Sequence, residues 1–207
     1  MAILTPTTEL EAVNVMMSHI GESPVNTLED DNVVDATIAQ TILGSVSREV
    51  QSQGWYFNTE IGYPIVKDSN NKFAVPANTA RIDAVNTATS STHSDLDLVM
   101  RGGFMYDRIN HTYTPDADTI TVDVVVLLDF TDIPETARRY ITLRASRVFQ
   151  ERHLGSSTMS EFIAQDEARA LAAMRNDEAW SGDHNMITDS ATPRSITTRF
   201  GFDRGVY

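Results

Sequence analysis

The apolar residues of this chain change period twice, and that double change constrains the fold more than any other feature. They recur every three or four positions up to about residue 53, fall into short alternating runs from 55 to 130, and return to helical spacing from 134 to 179. A period near 3.6 marks a helix with one buried face, and a period of two marks a half-buried strand. The order helix, strand, helix predicts an α+β fold: an antiparallel helical bundle interrupted by a small, mostly antiparallel β domain. The expected division is 1–54 for the first helical part, 55–130 for the inserted β domain, 131–180 for the second helical part and 181–207 for an extended C-terminal tail.

Local signals set the helix limits. Thr8 and Glu11 make a capping box, Leu10, Val13, Met17 and Ile20 follow at helical spacing, and Gly21 stops the run, so a helix is predicted over Glu9–Ile20. Val34, Ile38, Ile42, Val46 and Val50 recur every four positions and predict a second helix from about Asn32 to Gln53, with the acidic run "EDD" at the positive end of its dipole. A third helix starts near Pro134, carries Ala137, Ile141, Ala145, Val148 and Phe149 as its stripe, and ends at Gly155. The fourth is expected from Thr158 to Ala179, with Met159, Ile163, Ala170 and Met174 on one side.

Between the helical parts, Gly54 is expected to close the second helix in the left-handed conformation, and Trp55, Tyr56 and Phe57 to open a strand. Alternation would then put Trp55 and Phe57 on one face, packed under a sheet more readily than offered as a ligand platform. Gly102 and Gly103 separate two apolar runs as a hairpin turn requires. Asn86–Asp95, rich in Ser and Thr, reads as a surface loop.

The chain holds no cysteine, which removes disulfides and thiolate chemistry, and it lacks the phosphate-loop, dinucleotide, nucleophile-elbow and helical zinc motifs. The histidines at 19, 93, 111, 153 and 184 are scattered without ligand spacing, so no metal and no cofactor is expected. "DSNNK" at Asp68 lacks the glycine and glutamate of a calcium loop and reads as a turn. A glycosidase needs only two carboxylates at a suitable separation, so Asp95 with Asp97, or Asp116 with Asp118 if extended, keep a sugar-cleaving alternative open: a carbohydrate-active protein that cleaves a polysaccharide. The N-terminus has no basic n-region and the apolar run Val124–Leu128 is too short to span a bilayer, which predicts a soluble, cytosolic product with no membrane partner.

The formal net charge is −13, and residues 1–54 carry one basic against eight acidic residues. Such a chain is poorly suited to grip phosphates, so nucleic acid is expected to pass near it without specific binding. Arg138, Arg139, Arg144, Arg147 and Arg152 spread around the third helix at about 100° per residue, and ion pairs with the acidic first and second helices, or with a neighbouring subunit, explain them better than a DNA stripe. The tail "RSITTRFGFDRGVY" mixes arginines with aromatics and is expected either to order on a partner, with Arg194, Arg199, Phe200, Phe202 and Tyr207 as candidate partner-binding residues, or to be a simply frayed terminus.

The segments "ELEAVNVMMSHIGESPVNTLE", "REVQSQGWYFNTE", "RGGFMYDR", "IPETARRYITLRASRVFQERHLG" and "DEARAL" together resemble the tail tubular protein A family of short-tailed bacteriophages, in order from about Glu9 to Arg175. The resemblance implies a structural virion tail protein with a helical and a β domain and no catalytic residues. It implies a head-to-tail adaptor, a dodecameric homo-oligomer ring between the portal protein and the tail nozzle protein (tail tubular protein B type), assembled in the host bacterial cytoplasm and forming part of the DNA exit channel.

Overall fold

A computed structural model of the protein describes residues 6–29, 33–84 and 96–181. Among these the elements run α1 Glu9–Ile20, α2 Val34–Gln51, β1 Thr59–Val66, β2 Thr79–Ala84, β3 Leu98–Arg101, β4 Phe104–Asp107, β5 Thr119–Val126, α3 Glu135–His153 and α4 Ser157–Ser181, with one 3-10 turn, Phe130–Asp132, ahead of α3. The fold is α+β, with helices before and after the strands. The expected loop Asn86–Asp95 and nearly all of the tail lie outside the described residues.

The first helix obeys its signals. Thr8 accepts from the Glu11 backbone, the Glu11 carboxylate accepts from the Thr8 backbone at 2.7 Å, and Gly21 closes the helix at φ 82°. That carboxylate is held below its ordinary range, first by the Thr8 backbone hydrogen bond and then by the Thr8 hydroxyl.

Helix α3 is the hub of the helical part and packs against α1, α2 and α4. Its Ala137, Tyr140, Ile141, Ala145 and Phe149 meet Ala12, Val13, Met16 and Met17 of α1, Ile42, Leu43, Val46 and Val50 of α2, and Ala170 and Met174 of α4 in one buried cluster. Each large side chain among them contributes about 1.5–3 kcal/mol through burial.

Helix α2 is shorter than its pattern predicts, and Val34 and Ile38, expected on the buried stripe, are exposed. Steps of four residues advance about 400° around a helix, so a row repeated every fourth position drifts about 40° per step. The core takes Ile42, Val46 and Val50 together with Ala36, Ala39 and Leu43, and leaves the start of the row outside. The expected stripe of α4 is corrected likewise: Met159 is exposed, and Glu167 joins Ile163, Ala170 and Met174.

The strands form a three-stranded antiparallel sheet ordered β1-β5-β2 and a two-stranded antiparallel hairpin β3-β4. The apolar run near Val124 is the central strand: Ile120, Val122 and Val124 face a second core with Ile65, Phe73, Leu98 and Met105, while Val125 is buried on the opposite face. The Gly102-Gly103 turn is as predicted, with φ of 59° and 80° at the two central residues, the geometry that joins twisted strands most directly.

The aromatic junction differs from expectation. Residues 56–58 form a turn and β1 begins only at Thr59. Trp55 is buried in the helical cluster with its indole N–H donating to the Val50 carbonyl at 2.8 Å, and Phe57 packs against the same cluster. Asn58 dictates the turn: its side chain accepts from the Trp55 backbone N–H and donates to the carbonyls of Gln51 and Val126. Three backbone groups satisfied by one buried amide outweigh the strand preference of three aromatics.

Candidate functional site

Of the carboxylates singled out for glycan cleavage, one pair lies outside the strands and the other is only half within the described residues. Asp116 and Asp118 are exposed and lie in bends ahead of β5, outside any strand, with Ala117 buried between them. Asp97 precedes β3 and pairs with Arg108 at 2.7 Å, a hydrogen bond that raises the arginine pKa; Asp95 lies outside the described residues. Asp107, the buried acid of β4, accepts from the Ile109 backbone and the Asn110 side chain. Burial opposes its ionisation, and these donors hold its pKa below the ordinary value.

Of the histidines, His19 sits in the last turn of α1, His111 takes φ 52° in an exposed turn, and His153 lies 3.9 Å from Asp35; His93 and His184 are outside the described residues. Among the described residues no three His, Asp or Glu side chains converge as a metal site would require. Asp68 closes a tight turn, accepting from the backbones of Asn70 and Lys72.

The arginines of α3 have separate tasks. Arg138 is buried and donates to the carbonyls of Thr7, Thr131 and Ile133, holding the chain ahead of α1 and the 3-10 turn against α3. Arg144 reaches Glu49 of α2 at 2.7 Å and Glu167 of α4 at 3.3 Å, and Arg147 reaches Glu167 at 2.6 Å and Glu151 at 3.2 Å. The expected partners on α1 do not appear among these pairs, and Glu167 replaces them. The hydrogen bond to Glu167 raises the Arg147 pKa. A charge within an apolar stripe, Ile163-Glu167-Ala170-Met174, was the overlooked sequence signal: such a residue is retained where an opposite charge meets it.

The helical part is tied at two further points, one of them beside the turn that leads into β1. Tyr56 and Thr136 both donate to the same oxygen of Asp177, at 2.9 and 2.8 Å, which fixes the end of α4 beside the aromatic turn. Burial, then the bond to Asp177, raises the Tyr56 pKa. Glu135 accepts from both the backbone and the hydroxyl of Thr7, at 2.8 and 2.6 Å.

The outer surface carries large apolar side chains. On α4, Phe162 and Trp180 are 62% and 80% exposed. They are eighteen residues apart, five helical turns, so they lie on one line along the helix about 27 Å apart. On β1, a sheet edge, Ile61 and Val66 are also exposed. Arg194, Arg199, Phe200, Phe202 and Tyr207, the candidate partner-binding residues, lie outside the described residues.

No helix among the described residues is long and apolar enough to cross a membrane. A comparison with curated proteins finds no match. A family model described as tail tubular protein matches residues 10–184, and the chain belongs to that family of phage proteins, as a structural component of the virion tail.

Proposed function

We propose that the protein is a head-to-tail adaptor whose copies form a ring, dodecameric by family resemblance, between the portal protein and the tail nozzle protein. Membership of the tail tubular protein family carries this reading. The helical part, 1–54 with 131–180, and the β part, 55–130, are then two units of one subunit with separate cores, able to meet different neighbours. A closed ring requires a patch on each subunit that fits a different patch on the next, and the exposed apolar groups on α4 and β1 provide two non-equivalent surfaces.

The genome passes through the bore without specific binding. With a net charge of −13, acidic side chains facing the bore repel phosphates within a Debye length of about 8 Å at physiological salt and keep the DNA mobile. The tail residues Arg194, Arg199, Phe200, Phe202 and Tyr207 dock on a partner, and assembly takes place in the host cytoplasm.

Electron microscopy of the full chain with and without isolated portal rings tests the proposal. Rings seated on the portal vertex are the expected result. Full-length protein that never associates with portal, alone or with nozzle protein present, would reject it.

A further inference from the structure

The outward face of the β3-β4 hairpin carries two cations, Arg101 and the neighbouring Lys72, that form no ion pair among the described residues. In the hairpin register Arg101 stands opposite Phe104 and Val99 opposite Tyr106, so these four share the face turned away from buried Leu98 and Met105. The Arg101 guanidinium lies 4.2 Å from the centre of the Tyr106 ring. Lys72, from the Asp68 turn, places its ammonium 5.2 Å from the Phe104 ring and 5.7 Å from the Tyr113 ring, and Tyr113 packs edge-on against Tyr106 with centres 4.8 Å apart. Two cations from separate segments are thus held in a continuous row by three rings. Among the described residues neither has a carboxylate within ion-pair distance, although Arg108 nearby is paired with Asp97.

This arrangement favours a carboxylate-bearing partner. Contact with the rings fixes both charges before any ligand arrives, which reduces the ordering cost of binding. The same contacts occupy ring faces that a platform for bases would leave open for stacking.

The complementary surface lies elsewhere on the chain. Among the described acids of residues 1–54, Glu9 accepts from Gln40, Glu11 caps α1, Asp35 lies beside His153 and Glu49 pairs with Arg144. Glu22 and Glu29, between α1 and α2, are exposed and have no cation within ion-pair distance among the described residues. The connector is held to the helical core, where Val25 exchanges two hydrogen bonds with Asn14, whereas the hairpin belongs to the β core. Opposite charges on two separate segments, one tied to each core, are what a head-to-tail contact between identical subunits needs.

We infer that the cation–aromatic face of Lys72, Arg101, Phe104, Tyr106 and Tyr113 docks on Glu22 and Glu29 of the adjacent copy. The inference rests on the ring reading above and names the surfaces that close the ring.

Charge exchange in the full-length protein tests it. The double variants Lys72→Glu/Arg101→Glu and Glu22→Lys/Glu29→Lys should each lower ring formation on portal at least about tenfold at 0.15 M salt, where contact charges are only partly screened. An equimolar mixture of the two, or one chain carrying all four substitutions, should restore rings, because every contact is then again between opposite charges. Either double variant assembling like wild type, or a folded four-substitution chain that fails to assemble, overturns the inference and leaves the adaptor reading standing. If charge reversal prevents folding by circular dichroism, Lys72→Gln/Arg101→Gln takes its place, and undiminished assembly of that variant is the contrary result. Loss of binding to a labelled 30-nucleotide single strand with rings intact would assign the face to nucleic acid and overturn the inference. Wild-type protein that forms no ring with or without portal removes the adaptor reading and this inference together.

Discussion

Gln51 and Leu128 are bound to each other as two paired strands would be: the Gln51 amide donates to the Leu128 carbonyl at 3.1 Å and its oxygen accepts from the Leu128 N–H at 2.7 Å. Gln51, at the end of α2, is 1% exposed, and Leu128 follows β5, so one side chain joins the helical and β parts. Truncating it leaves two backbone groups without partners, at roughly 1–3 kcal/mol for each that stays buried. Gln51→Ala should destabilise the protein by about 2 kcal/mol or more, read as a lower urea midpoint. A midpoint equal to wild type would mean that water replaces the amide fully.

Glu167 holds Arg144 and Arg147 together between α3 and α4. Glu167→Ala should cost about 2 kcal/mol, less than the ~3–5 kcal/mol of a fully buried pair, because both guanidiniums are partly exposed and keep Glu49 and Glu151. Double-mutant cycles with Arg147→Ala measure the coupling. A coupling near zero would make the cluster a surface feature.

Gly54 stands at φ 80° with Val125 Cγ2 3.1 Å and Arg81 Nη2 3.0 Å from where a methyl group would sit, whereas Gly155 at φ 64° has nothing closer than 4.0 Å. Both alanine variants meet the left-handed backbone penalty of about 1 kcal/mol. Gly54→Ala should lower the melting temperature by several degrees more than Gly155→Ala, since only the first must also displace the central strand. Equal shifts in calorimetry would contradict the close approach.

Glu11, Asp68, Asp107 and Glu151 all have pKa values lowered by folding, the last chiefly by the Ser160 hydroxyl and Arg147. A lowered carboxylate pKa stabilises the folded state fully above the unfolded value of about 4 and loses that contribution as the pH falls through the folded value. Denaturant midpoints should therefore be level from about pH 7 down to about pH 5 and fall below about pH 4. Asp107→Asn should reduce the acid-side slope; an unchanged slope would assign the loss to other groups.

Deleting Ser181–Tyr207 should leave the melting temperature within about 2 °C of wild type, since all of the described core precedes it. Portal binding should weaken at least tenfold. Equal portal affinity of the truncated chain would remove the tail from the docking surface.

Most of the fold was legible because its signals are local. The capping box of α1, the Gly102-Gly103 turn and the stripe Ala137, Ile141, Ala145 and Phe149 depend on residues within a few positions of one another, and each appears where its spacing predicts. The resemblance in the same segments led to the family. Spacing could not show how long a row stays buried: Val34 and Ile38 look like core and lie outside, because a row repeated every fourth residue drifts around the helix and Ala36 and Ala39 take the buried face there. Nor could it show that Asn58 would turn the aromatic run away from a strand, since its partners Gln51 and Val126 come from both sides of the β segment.

The interaction surfaces show the same division more sharply. Sequence alone determined the elements, their order and the acidic character of the chain, because hydrophobic period and charge are counted along it. Tertiary structure alone decided that Arg144 and Arg147 are used within the subunit on Glu167 while Lys72 and Arg101, without an ion pair among the described residues, lie on a row of rings. Whether a charge is matched depends on which distant residues the packing brings within a few ångströms of it, and linear spacing holds no record of that distance.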